Sequence, residues 1–125
     1  MKLLDSLYTI ISDNATESVH SYVLRLNPEH FIYKAHFPGE PITPGVCIMQ
    51  IALELTELAS GCSLALSTVK NIKFLRIISP LQTEEICFNI GKLNVEEDIV
   101  RVQVTVTRDE DVYAKLSLIC SKKAQ

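Results

Sequence analysis

Val100, Val102, Val104 and Val106 alternate with Arg101, Gln103, Thr105 and Thr107. A period of two sends successive side chains to opposite faces of a strand, so this stretch predicts a half-buried strand over Ile99 to Thr107. Runs rich in Val, Ile, Leu and Tyr predict further strands over Thr16 to Leu26, Thr68 to Ile78, Glu85 to Leu93 and Val112 to Cys120. Asn27-Pro28 closes the first of these, and Arg108-Asp109-Glu110-Asp111 forms the polar turn into the last. A different period governs Ile48, Ile51, Ala52, Leu55, Leu58 and Ala59. Their spacing predicts one long helix, apolar around much of its circumference and therefore widely buried. Thr43 is placed to cap it, Pro44 to open it and Gly61 to end it in a left-handed conformation. Leu3, Leu4, Leu7, Ile10 and Ile11 also recur at helical spacing and predict a short amphipathic helix at the N-terminus.

Strands that cluster instead of alternating with helices imply an α+β arrangement, an antiparallel sheet wrapped around one central helix. The 125 residues suit a single domain spanning 1–125, large enough to bury a core without disulfides or metals. With 47% hydrophobic and 22% charged residues, the composition is that of an ordinary soluble globular protein. A net charge of -3 and a pI near 5.6, with no dense basic run, lack the footprint that a nucleic acid requires. No segment is apolar for long enough to insert in a membrane as a helix. Cys47, Cys62, Cys87 and Cys120 form no CxxC pair, so neither a zinc site nor a redox motif is indicated, and reduced thiols in a cytoplasmic protein are expected. No cofactor and no metal are expected.

The stretch HFPGEPITPGVCIMQ, from His36 to Gln50, is the chemically dense part of the chain. Its prolines and glycines lead straight into the long helix. Such backbone allows close approach to a ligand and presents unpaired amide donors at a helix start. The order His36, Phe37, Pro38, Gly39, then Pro41, then Pro44, Gly45 and Val46 resembles the hot-dog (3R)-hydroxyacyl-acyl-carrier-protein dehydratase family of the FabZ type. Lys73-Phe74 and Pro80 look like that family's later Arg-Phe and Pro-Gly-Asp, although Leu81-Gln82 stand where Gly-Asp would be.

The resemblance implies a hot-dog fold and removal of water from 3-hydroxyacyl thioesters carried by acyl carrier protein, in fatty-acid or related acyl-chain synthesis. It implies His36 as base and Phe37, Gly45 and Val46 as substrate-binding residues, with a cis peptide between His36 and Phe37. It also implies a homodimer or higher oligomer whose sites combine residues of two protomers, or a mixed dimer with a related partner. Lys70, Lys73 and Arg76 are candidates for docking the acidic carrier protein.

One exchange departs from the family. Gln50 stands where the family has its catalytic Glu, and Glu54 stands where it usually has Gln. An amide can orient a hydroxyl but cannot release a proton. Gln50 and Glu54 are both candidate catalytic residues, Glu54 as a substitute acid one helical turn on. Restoring an acid with Gln50→Glu is expected to raise dehydration at least about tenfold, the scale of general acid catalysis. Two alternatives accompany the dehydratase reading. One is a noncatalytic or half-catalytic carrier-protein-binding subunit. The other is a hot-dog acyl thioesterase in which Gln50 orients water and Glu54 serves as base. Cys47, on a similar side of the helix to Gln50, is a further candidate nucleophile.

Overall fold

The computed structural model describes residues 2–35 and 39–124. Eight elements follow one another: β1 (Tyr8–Ala15), β2 (Val19–Leu26), α1 (Phe31–Ala35), α2 (Gly45–Ser60), β3 (Leu64–Phe74), β4 (Glu85–Val95), β5 (Ile99–Arg108) and β6 (Asp111–Lys122). The strands form an antiparallel sheet in the order β1-β2-β4-β5-β6-β3. The segment between β2 and β3, which contains both helices, carries the chain to the far edge of the sheet. The chain then returns to lay β4 beside β2, and the helix segment crosses one face. This is the α+β hot-dog arrangement, with α2 packed against β3 and β4.

The valine alternation of β5 has the expected consequence. Val100, Val102, Val104 and Val106 are buried beneath the helix layer, paired across the ladder with Cys120, Leu118, Leu116 and Ala114 of β6. Ile86, Phe88 and Ile90 of β4 and Tyr22, Leu24 and Leu26 of β2 continue the same face. From α2 come Cys47, Ile48, Ile51, Ala52 and Leu55, whereas Leu58, expected to be buried, is half exposed. Gly61 ends the helix at φ 71 and donates its amide to Glu57 O at 2.9 Å. Asp109 takes a left-handed φ of 53 in the tight turn between β5 and β6, a conformation that Asp tolerates better than most side chains.

Three expectations are corrected. The N-terminal residues form one turn, with Leu7 N–H donating to Leu3 O at 2.8 Å, and then a strand. Asp5, at φ 68, breaks any helical continuation, so the leucine spacing reflects a single turn that buries Leu3 and Leu7. The predicted first strand begins instead at Val19, because Thr16 closes a turn by accepting Val19 N–H on its Oγ1 at 3.1 Å. β3 runs earlier than Thr68 to Ile78: shifts of register at Leu66/Thr68 and Val69/Asn71 break its period of two and conceal it.

Candidate active site

The loop before α2 enters the helix through an extended run that two tertiary contacts hold in place. Thr43 N–H donates to Ile78 O at 2.8 Å, tying the loop to the segment after β3. Thr43 Oγ1 and the Tyr33 hydroxyl share a hydrogen bond of 2.9 Å, and both residues are buried. Burial pushes the Tyr33 phenol up, so it stays protonated at neutral pH. The Thr43 side chain is thus committed to Tyr33 instead of capping the helix. Pro44, at φ -62 and ψ 148, occupies the cap position itself, and its carbonyl accepts Cys47 N–H at 3.0 Å and Ile48 N–H at 3.1 Å. Gly39 turns the loop at φ 95, where only glycine is unstrained.

Gly45 and Val46 are therefore the first helical residues, and their amides have no acceptor within the helix. The ring of Phe74 lies directly over Gly45, where an added Cβ would meet ring carbons at 2.9 and 3.0 Å. Ile42, Ile48, Phe74, Leu75 and Ile77 wall a pocket of about 350 Å³ at this helix start. The result is an apolar recess with backbone N–H groups and the positive end of the helix dipole at its margin. Such a margin suits an oxygen that gains negative charge. Val46 is exposed beside it.

Further along the helix, Gln50 and Glu54 touch. Gln50 Nε2 donates to Glu54 Oε2 at 2.8 Å. The same oxygen accepts Leu3 N–H at 2.8 Å, while Oε1 accepts Leu4 N–H at 2.8 Å and the Tyr8 hydroxyl at 3.0 Å. Glu54 is buried, and these contacts tie the N-terminal turn to the helix. Burial, and secondarily the Glu54 carboxylate, push the Tyr8 phenol far up, which keeps it a donor. The expectation of a proton-transfer role for Glu54 thus meets a carboxylate whose two oxygens each accept two donors, the full capacity of the group.

The other candidates separate. His36 and Phe37, with the peptide between them, lie outside the described residues. Arg76 lines the apolar pocket and pairs with Asp111 at 3.3 Å. Lys73 is exposed and directly opposite Lys115 on the outer face of the sheet, and Lys70 lines a cleft with Lys92 and Arg101. The three basic candidates therefore do not form one patch around the helix start. Cys47 is buried, and burial pushes its thiol up, against the ionisation a nucleophile needs. His20 stacks on Tyr22 and approaches Asp13 at 3.3 Å, and His30 Nδ1 accepts Ile32 N–H at 3.1 Å, so both have local structural partners. Among the described residues, no cluster of His, Cys, Asp or Glu could hold a metal, and no helix is long and apolar enough to cross a membrane.

Phe74 over Gly45 and Tyr8 on Glu54 are contributions that residue spacing did not reveal. The likeness of Lys73-Phe74 to the family's Arg-Phe was a signal for the first. Nothing local marked the second.

The family described as ApeI-like, ApeI dehydratase, matches residues 12–116. The chain belongs to that family. It is also 30% identical over 95 residues to the 3-hydroxyacyl-[acyl-carrier-protein] dehydratase FabZ of Latilactobacillus sakei, covering 70% of this chain and 68% of that one. The corresponding FabZ of Clostridium acetobutylicum is 28% identical over 95 residues, covering 70% and 67%. Among solved structures, the dehydratase heterocomplex ApeI:P of Xenorhabdus doucetiae superposes with a TM-score of 0.71 at 14% identity, covering 90% of this chain and 96% of that one. Thioesterase HI1161 of Haemophilus influenzae superposes with a TM-score of 0.66 at 14% identity, covering 94% and 80%. At those identities the structural likeness establishes the hot-dog fold that this ApeI-like chain shares with dehydratases and thioesterases alike.

Proposed function

We propose that this ApeI-like chain is a 3-hydroxyacyl-acyl-carrier-protein dehydratase, acting in fatty-acid or related acyl-chain synthesis. The observation that carries the reading is the helix start, where the Gly45 and Val46 amides border an apolar pocket beneath Phe74. A thioester carbonyl at that margin would be polarised by the helix end, which acidifies the neighbouring C–H. His36 takes that proton, a task for which imidazole is the side chain most often used near neutral pH. The hydroxyl must leave as water and so needs a proton in return. Gln50 cannot give one up. The protonated His36 supplies it, directly or through a water, so that the proton taken from carbon departs with the leaving oxygen and the balance closes.

Oligomerisation belongs to the same reading. β3 is an edge strand, and Leu66, Val69 and Phe74 on it, with Leu75 and Ile77 beyond, are exposed apolar residues. An uncovered apolar edge is a surface that pairs with another chain. A homodimer or higher oligomer formed through this edge is expected, with acyl carrier protein as the substrate's carrier. The second reading is a mixed dimer in which this chain binds the acyl carrier and a related partner supplies the acid, favoured by the amide at position 50. Purified protein presented with a 3-hydroxyacyl thioester, alone and mixed with a hot-dog subunit carrying the acid, separates the two. Free thiol release would indicate the thioesterase reading instead.

A further inference from the structure

The outer face of the sheet, away from the helices, concentrates positive charge that the chain's net charge of -3 does not foreshadow. Two breaks in strand register create it. In β4 the register jumps between Gly91 and Asn94, and Lys92 takes a left-handed φ of 46 there, a backbone that disfavours any residue with a Cβ. In β3 the register jumps between Val69 and Asn71, at Lys70. Such irregularities re-aim side chains. Although β5 and β6 separate their strands, Lys70 and Lys92 line one cleft of about 280 Å³ with Arg101, Asn94, Gln103 and Ser117. Arg101 donates Nε to Glu96 at 3.0 Å. Among the described residues, no carboxylate pairs with Lys70 or Lys92. One row along, Lys73 faces Lys115 directly across the β3–β6 ladder, both exposed and again without a carboxylate partner among the described residues. Like charges set opposite each other cost stability, which an anion on this face would recover.

We infer that this cleft is a binding site for a phosphate group, carried either by a small soluble compound or by a lipid headgroup. Lys70, Lys92 and Arg101 bring two ammonium groups and a guanidinium from three different strands, the cations that phosphate oxygens accept from most strongly. Gln103 and Ser117, opposite each other on the β5–β6 ladder, add a side-chain amide and a hydroxyl between them. The helix start and its apolar pocket lie on the other side of the sheet. A phosphate in the cleft therefore does not compete with an acyl chain there, and the site stands without the dehydratase reading. Pairing of chains through the β3 edge continues the sheet and leaves this face open.

The test follows the backbone amide signals of ¹⁵N-labelled full-length protein while pyrophosphate is added at constant ionic strength. Saturable shifts centred on Lys70, Lys92, Arg101, Gln103 and Ser117 are expected. Lys92→Gly carries no Cβ to strain at φ 46, so it should be at least as stable to urea as the wild type. Its affinity for pyrophosphate should nevertheless fall at least about tenfold, the scale of one charge-assisted hydrogen bond. Lys70→Gln should weaken binding likewise, and decides alone should Lys92→Gly not fold. Lys34→Gln, which removes the same charge from α1, should bind as the wild type does. Cosedimentation with phosphatidylcholine vesicles containing phosphatidic acid separates the two sources. Vesicle binding that pyrophosphate displaces and Lys92→Gly loses assigns the phosphate to a lipid headgroup; saturable pyrophosphate binding without vesicle binding assigns it to a soluble compound. Shifts that never saturate, or an affinity that falls equally in Lys34→Gln and Lys70→Gln, overturn the inference.

Discussion

Replacing Glu54 by Leu removes, from inside the fold, the acceptor of four hydrogen bonds between 2.8 and 3.0 Å. The donors differ in what they can do next. Leu4 N–H and the Gln50 amide lie in partly buried contacts and can turn to water. Leu3 N–H and the Tyr8 hydroxyl lie in buried ones and cannot do so without opening the N-terminal turn. An unsatisfied buried donor costs roughly 1–3 kcal/mol, so two cost about 2–6 kcal/mol. Burying a leucine side chain offsets about 1.5–3 kcal/mol of that. The net destabilisation expected is about 2 kcal/mol from the middle of these ranges and about 4.5 kcal/mol at most, a large part of the roughly 5–15 kcal/mol that holds a domain together. Urea unfolding followed by circular dichroism measures it, and Tyr8→Phe, which removes one bond without leaving a donor unpaired, should cost less than Glu54→Leu. A Glu54→Leu protein within about 0.5 kcal/mol of wild type, the range of ordinary surface changes, would refute the clamp.

Gly45→Ala should leave stability within about 1 kcal/mol, since alanine favours the helix while its Cβ displaces the ring of Phe74. Turnover of a 3-hydroxyacyl thioester should nevertheless fall, on the order of tenfold to a hundredfold, as expected of a small misplacement at a reacting centre. Unchanged turnover would mean that the Phe74–Gly45 contact does not shape the site. Alkaline pH should destabilise the protein. Burial raises the Cys120 thiol from 9.0 to about 11, so the unfolded chain releases its proton first, and stability that is complete below pH 9 is lost as pH climbs toward about 11. Tyr8, raised in the same sense from 10.0, adds to the loss above its ordinary range. Urea midpoints at pH 8 and pH 10.5 test this, and equal midpoints would contradict it; Cys120→Val should flatten the decline. Finally, a thiol reagent at neutral pH should modify partly exposed Cys62 and Cys87 well before buried Cys47 and Cys120. Rapid labelling of Cys47 in the native protein would reopen the case for a nucleophile there.

Much of the sheet could be read from the chain because its inner face obeys a strict period. β4, β5 and β6 bury alternate residues, and strands of that kind announce themselves. β3 concealed its bounds because two irregularities of register throw its inward residues out of step. At the N-terminus the i, i+4 relation of Leu3 and Leu7 is common to one turn and to a helix, and only the left-handed Asp5 separates the two. The loop before α2 was legible from Gly39 to Val46 since its glycines and prolines encode backbone shape directly. Glu54 was not. On a helical wheel it reads as a polar or catalytic position, and its role depends on backbone amides of Leu3 and Leu4 brought from the start of the chain, which no spacing near Glu54 announces. Lys70, Lys73 and Arg76 lie close in sequence and suggested a shared patch, but the bulges in β3 and the turn after it send Lys70 and Arg76 to different surroundings.

The most direct test of the whole account is the fate of the acyl chain. A 3-hydroxyacyl group on acyl carrier protein is incubated with the purified protein, and the loss of water is followed by mass spectrometry of the intact carrier. The account predicts an enoyl product whose formation is abolished by His36→Ala and unaccompanied by free thiol. Release of the carrier thiol, or no enoyl product at any chain length either alone or beside a subunit carrying the acid, would contradict it.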